Sequence, residues 1–130
     1  MDLQTPESFL NIESRDDAVI ARFACQIMLG GQIAVAVSEK LMSLLPELGQ
    51  RRLLVDFGNV RSLTSLMLGK LVQLNNTAQS VGTRMIIFNM TPNVRKTVEV
   101  TRLDLILTIL DDEAAAVNAS VTVEREPRTR

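Results

Sequence analysis

Histidine, tryptophan and tyrosine are absent from this 130-residue sequence, and cysteine occurs once, at Cys25. Without histidine there is no Ser-His-Asp or Cys-His nucleophile and no histidine-bearing zinc site. Four phenylalanines are the whole aromatic complement, too few for a platform that stacks single-stranded nucleic acid. A single cysteine excludes an internal disulfide and suits a reducing cytoplasm, which is the expected location. A run of about 18 apolar residues is lacking, so no membrane span is expected. The opening MDLQTPESFL carries acids early and no basic stretch, so a secretory signal is not expected either. A formal charge of −1 leaves no electrostatic footprint for direct contact with nucleic acid. No metal or cofactor is expected. An enzyme would have to be assembled from carboxylates, lysines and hydroxyls, and the chain is read as no enzyme.

What is present is apolar and patterned. Hydrophobic residues make up 46% of the sequence, enough for one domain with a single core. Phe9 to Glu13 alternates weakly, and Asp16-Asp17 breaks it from Ala18–Phe23, so the two runs predict a hairpin. Gln26 to Gly31 reads as a glycine-ended loop. Ile33, Val37, Leu41 and Leu44 recur at helical spacing until Pro46 and Gly49. Leu53-Leu54-Val55 is a buried strand closed by Asp56, Phe57 and the Gly58-Asn59 turn. Arg84–Phe88 is another. Thr91-Pro92 is an N-cap followed by proline at the first helical position, with Val94 and Val98 as the buried stripe. Leu105 to Leu110 reads as a last strand, and Asp111 as the cap of a short Ala-rich helix. Strands and helices in alternation imply parallel crossovers, an α/β layer fold with an N-terminal β-hairpin and helices packed on a mostly parallel central sheet. Residues 1–117 form the domain, and 118–130 read as a flexible, charged tail.

The strongest helix in the chain follows Thr64-Ser65. At about 100° per residue, Met67, Leu71, Leu74, Ala78 and Val81 share a buried stripe flanked by Leu68 and Asn75. Ser65, Gly69, Asn76 and Ser80 fall opposite, with Leu66, Lys70, Gln73 and Thr77 beside them. Thr64 or Ser65 supplies the capping hydroxyl. Hydroxyls thus stand at the positive end of a helix beside an outward Leu66 and a bare Gly69, a patch suited to docking. Cys25, by the usual burial of free cysteine, is expected as a small structural residue at a strand end. Asp56 is expected to accept backbone N–H groups from the turn after it, the bland reading of its kinase-like Asp-Phe-Gly triplet. Arg95, Lys96 and Arg102 form a cationic edge, read as a solvated face.

Three ordered blocks then resemble the STAS family, the anti-sigma-factor antagonists. They are LLVDFGNVRSL, TSLMLGKL and GTRMIIFNMTPNVRKTVEVTRLD, and the resemblance spans roughly residues 8 to 117. The second block lies over the family's Asp-Ser-Ser-Gly-Leu-Gly-x-Leu signature. Ser65, Leu68, Gly69 and Leu71 fit it, while Thr64, Leu66 and Met67 depart from it. Ala24-Cys25-Gln26-Ile27 replaces a Gly-Glu-Leu-Asp loop, and Arg102 stands where the family has glycine. The resemblance implies a partner switch, in which the domain binds an anti-sigma factor that is a serine kinase, and phosphorylation releases it. Ser65 falls on the phosphorylated serine, with Thr64 as a second acceptor, and Ser65, Leu66, Gly69 and Gln73 as the partner-binding set. An alternative within the same family is a non-phosphorylated STAS subunit of a transport ATPase complex or signalling scaffold. A third reading, from another class, places a nucleotide in a crevice lined by Asp56, Asn59, Ser65 and Asn89, with no glycine-rich phosphate loop to support it. The oligomeric state is not set by these residues.

Overall fold

The structure, a computed structural model, describes residues 9–119. In chain order the elements are β1 (Leu10–Ser14), β2 (Ala18–Phe23), β3 (Ile27–Leu29), α1 (Gly31–Leu44), β4 (Arg52–Asp56), β5 (Val60–Leu63), α2 (Ser65–Ser80), β6 (Met85–Phe88), α3 (Pro92–Val100), β7 (Thr108–Leu110) and α4 (Glu113–Asn118), with short 3₁₀ turns at Leu45–Glu47 and Leu103–Leu105. The main sheet has the order β1-β2-β4-β6-β7, antiparallel between β1 and β2 and parallel elsewhere. This is the expected α/β architecture with its N-terminal hairpin. The tail read over 118–130 lies outside the described residues from 120 onward.

The strand sequences explain why the sheet is covered on both faces. Along β2, β4 and β6 nearly every residue is apolar, as parallel strands between two layers require. Side chains then alternate between the layers. Val19, Ala21, Phe23, Leu53, Val55, Met85 and Ile87 enter the larger core with Leu41 of α1, Leu71 and Leu74 of α2, and Val94 of α3. Ala18, Ile20, Leu54, Ile86 and Phe88 face the other way and pack with Ala116 of α4.

Helix α4 is held at both ends by arginines from neighbouring strands. At its start the Arg22 guanidinium donates from Nη1 and Nη2 to the two Glu113 oxygens, each at 2.9 Å. At its end Arg52, 1% exposed, donates from Nη1 to the carbonyls of Ala116 and Ala119, both at 2.8 Å. The last carbonyls of a helix have no partner within it and carry its negative dipole end, so a buried cation satisfies both needs. Arg52 also reaches Asp17 at 3.3 Å.

Several local expectations are corrected. Gln26–Gly31 is not a plain loop: Ile27–Leu29 forms β3, paired with β5 in a separate two-stranded sheet. Three residues give too short an alternation to announce a strand, and the pairing with β5 makes one. Leu105–Leu110 is strand only from Thr108, because a 3₁₀ turn takes Leu103–Leu105. Asp112, not Asp111, caps α4, its carboxylate accepting from Ala115 N at 2.9 Å. Val81 lies past the end of α2 and is 46% exposed, outside the stripe assigned to it. Cys25 is exposed, in the bend after β2, and not buried. Arg102 takes φ +64, the left-handed region where glycine carries no Cβ penalty, which explains the glycine expected at that position.

Candidate functional site

The start of α2 is set by a chain of contacts that begins at the end of β4. Asp56 Oδ1 accepts from Gly58 N at 2.8 Å and Asn89 Nδ2 at 3.2 Å, and its Oδ2 accepts from Arg22 at 3.2 Å. The expected structural role of Asp56 is therefore present, and wider than the turn alone. Asn59 donates its amide to the Phe23 carbonyl at 2.8 Å, and its own carbonyl receives Ile27 N at 2.8 Å. The turn is thus fastened to β2, β3 and the loop after β6. Arg22 links this network to α4. The Glu113 carboxyl is held below its ordinary range by the hydrogen bond from Arg22, and that guanidinium is held above its own by Glu113.

From this turn β5 runs beside β3, with Leu29 opposite Leu63, and delivers the chain to Thr64. Thr64 N donates to the Leu29 carbonyl at 3.1 Å. Its hydroxyl is the helix cap, accepting from Met67 N at 3.3 Å, and it also donates to the Leu29 carbonyl at 3.4 Å. Gly30 is part of the same arrangement: a Cβ there would stand 2.5 Å from the Thr64 methyl, so only glycine fits. Between the two capping candidates, the structure selects Thr64. Ser65 is the first residue of the helix, exposed, and its hydroxyl has no hydrogen-bond partner among the described residues.

Ser65, Leu66, Gly69, Lys70 and Gln73 line one shallow depression of about 290 Å³ on α2. All four residues expected to bind a partner lie there together. Leu66 is 45% exposed, a large apolar side chain turned to solvent. A Cβ added to Gly69 would meet nothing within 4 Å, so no internal contact demands glycine at that position. Lys70 was not among the expected set. Helical spacing had placed it beside the exposed stripe, and its position over the depression comes from the full side-chain arrangement. A second exposed apolar residue missed in the sequence is Met28, 66% exposed on β3, whose register puts it opposite Ser62.

The four polar residues of the crevice reading do not gather as a ligand site. Asp56 and Asn89 are bonded to one another, Asn59 is turned onto Phe23, and Ser65 faces the depression on α2. Among the described residues no cluster of three or more Asp, Glu, Cys or His side chains could hold a metal ion. No helix of the described residues is long and apolar enough to cross a membrane. What the surface offers is contact: an apolar side chain, a bare stretch of backbone, a free hydroxyl, an amide and one ammonium.

Comparison with known proteins matches residues 18–110 to the family model described as "Mlab, STAS domain". No curated protein matches in sequence. Among solved structures, an anti-sigma-factor antagonist (STAS) domain protein from Planctomyces limnophilus superposes with a TM-score of 0.73 at 12% identity, over 83% of this chain and 94% of that one. An anti-sigma factor antagonist from Mycobacterium paratuberculosis gives 0.73 at 17% identity, over 83% and 89%. The antagonist SpoIIAA in its unphosphorylated form gives 0.69 at 18% identity, over 84% and 93%. The phosphorylated form of SpoIIAA, a Bacillus cell-fate determinant, gives 0.63 at 17% identity, over 84% and 96%. At these identities the likeness is one of fold.

Proposed function

The chain belongs to the STAS family, and on that premise we propose that it is a non-catalytic antagonist of an anti-sigma factor, working in a partner switch through the surface of Ser65, Leu66, Gly69 and Gln73. The partner is an anti-sigma factor with serine-kinase activity, and Ser65 is the residue whose phosphorylation ends the complex. The observation that carries this reading is Gly69. Glycine in a helix interior costs about 1 kcal/mol relative to alanine. No neighbour within the fold requires it. What it supplies is outward, a strip of bare backbone beside the exposed Leu66, where a partner can approach closely.

Ser65 is the better acceptor of the two candidates because its hydroxyl is unengaged. The Thr64 hydroxyl is committed to Met67 N and Leu29 O, so a phosphate there would remove the cap. A phosphate on Ser65 adds roughly 1.5 to 2 negative charges at a helix start, which the helix dipole tolerates. A partner's apolar surface packed on Leu66 would not. Intact-mass measurement and phosphopeptide mapping on protein from its own cells test this directly. One phosphate on Ser65 is the expected result. Phosphate on Thr64 would move the acceptor, and none under growth or stress would end the switch reading.

A second reading, a constitutive STAS subunit of a transport ATPase complex or signalling scaffold, is favoured by one feature. Leu66 and the buried Met67 stand where the signature has serine and glycine. Co-purification of an ATPase in place of a sigma regulator decides for it.

Under either partner, Gly69→Ala separates fold from contact. The added methyl is expected to raise unfolding stability by about 0.5 to 1 kcal/mol. It also fills the floor of the depression, so partner affinity should fall about tenfold, the scale of a small steric mismatch in a packed interface. Urea unfolding and calorimetric titration read the two effects, and unchanged affinity removes Gly69 from the interface.

A further inference from the structure

We infer that the open edge of β1 is a docking surface for a second copy of this chain, the two β1 strands pairing antiparallel about a two-fold axis at Ile12. The hydrogen bonds of the hairpin show which backbone groups are left over. Arg15 N donates to the Ala18 carbonyl and Ala24 N to the Phe9 carbonyl, both at 2.8 Å. Opposite residues of an antiparallel pair alternate between bonded and non-bonded, so Asn11 and Glu13 also turn their backbone toward Arg22 and Ile20. Leu10, Ile12 and Ser14 therefore point their N–H and C=O groups away from β2, where the sheet ends.

This edge lacks the usual guards against pairing. Natural edge strands carry proline, lysine, a bulge or an inward charge. The sequence LNIES has neither proline nor lysine, and its register with β2 runs without a shift. Its inward residues are Leu10 and Ile12, both packed on the larger core. Its one charge, Glu13, is engaged by Arg15 at 2.7 Å and Arg22 at 3.3 Å. The strand is also held in place, since Ser14 Oγ accepts from Arg51 Nη1 at 2.7 Å. Ile12 is only half covered, bordering a hollow of about 160 Å³ with Val19, Leu44 and Leu48.

Such an edge fits a strand that presents free backbone groups at alternate residues, and β1 is itself one. Charge and bond count select the register. Centred on Ile12, Leu10 faces Ser14 of the second copy and Ile12 faces its counterpart, which engages every free residue in about six hydrogen bonds. Glu13 then stands opposite Asn11 of the second copy. Centring on Glu13 would oppose two carboxylates, which is destabilising. Centring on Asn11 would carry Ser14 past the end of the other β1. The result is an isologous dimer with one sheet through both copies, five strands from each. The α2 depression belongs to the β4–β6 crossover, away from this edge, so the pairing stands apart from the switch.

The test uses the full chain with Cys25→Ser, so that each introduced cysteine is the only thiol. Sedimentation equilibrium up to about 0.2 mM should show reversible dimerisation, because one strand edge is an interface at the small, weak end of the range. Ile12→Cys should then give a disulfide-linked dimer on mild oxidation, its Cα about 5.5 Å from its counterpart and within the bonding range of about 4.4–6.8 Å. Asn11→Cys alone and Glu13→Cys alone stand roughly 8 Å from their counterparts and should stay unlinked. Mixed together, those two variants should cross-link. Asn11→Glu faces its own Arg22 within the fold. It should weaken the dimer about tenfold by opposing Glu13 of the second copy. A thermal melt checks that each variant is folded. A monomer at every concentration overturns the proposal, including the case in which residues 120–130 of the same chain occupy the edge. A dimer that Ile12→Cys does not link, that Asn11→Cys alone does, or that Asn11→Glu does not weaken overturns it equally, because the copies then meet elsewhere or in another register.

Discussion

Leu66→Asp is expected to reduce partner affinity by at least 100-fold while leaving the unfolding midpoint unchanged or slightly raised. The two effects have separate origins. Leu66 is 45% exposed and belongs to neither core, so the fold loses little when it is replaced. An acid in the first turn of α2 is favoured by the helix dipole, and an Asp four residues before Lys70 adds an i,i+4 pair of about 0.3–0.5 kcal/mol. In a complex the same carboxylate would be pressed against a surface shaped for leucine. Removing an apolar anchor from the middle of an interface and leaving an unpaired charge there costs several kcal/mol, about 3 being 100-fold. The measurement is a calorimetric titration with the partner recovered from the source cells, beside a thermal melt followed by circular dichroism. Equal affinity would take Leu66 out of the contact and leave Gly69 and Ser65 to explain it.

Arg52→Ala is expected to do the reverse: a loss of about 3 kcal/mol in unfolding stability with partner affinity unchanged. Its guanidinium is the donor for the Ala116 and Ala119 carbonyls, one of these bonds fully buried. Each buried acceptor left without a donor costs about 1–3 kcal/mol, and truncating a buried side chain adds a cavity. One term opposes these. Arg52 Nε is buried with no hydrogen-bond partner among the described residues, so the native state already bears a desolvation penalty that alanine removes. The ion pair to Asp17 contributes little, because that carboxylate is 57% exposed. The carbonyls and the cavity therefore win. Helix α4 should lose amide-exchange protection before the rest of the sheet, since its C-terminal end loses its hold while Arg22 still grips Glu113. α4 and α2 pack on opposite faces of the sheet, so the α2 surface should stay intact. A loss below about 1 kcal/mol would mean that apolar contacts alone hold α4.

How far these features were legible in the sequence differs by kind. The runs at Ala18–Phe23, Leu53–Val55 and Met85–Phe88 declare buried strands because parallel pairing between two helical layers demands apolar residues on both faces. The stripe of Met67, Leu71, Leu74 and Ala78 declares α2, and Thr64 and Thr91-Pro92 declare helix starts, because a cap is a bond made within three residues. The family resemblance then directed attention to Ser65, Leu66, Gly69 and Gln73, which do share one depression. β3 was not legible, since Ile27–Leu29 becomes a strand only when Leu63 arrives opposite Leu29. Cys25 and Val81 were assigned burial from their type and spacing, and both lie where the chain leaves its element.

Alternation, helical spacing and capping residues were enough to determine that this chain is an α/β layer with its central helix beginning at Thr64-Ser65. Each acts over one or two turns of backbone, so each is written in contiguous residues. The burial of Arg52 and the linkage of Arg22 to Asp56 and Glu113 were decided by the tertiary structure alone. A charge takes its role from the carbonyl or carboxylate that packing sets opposite it, and those partners stand as many as 91 positions away in the chain.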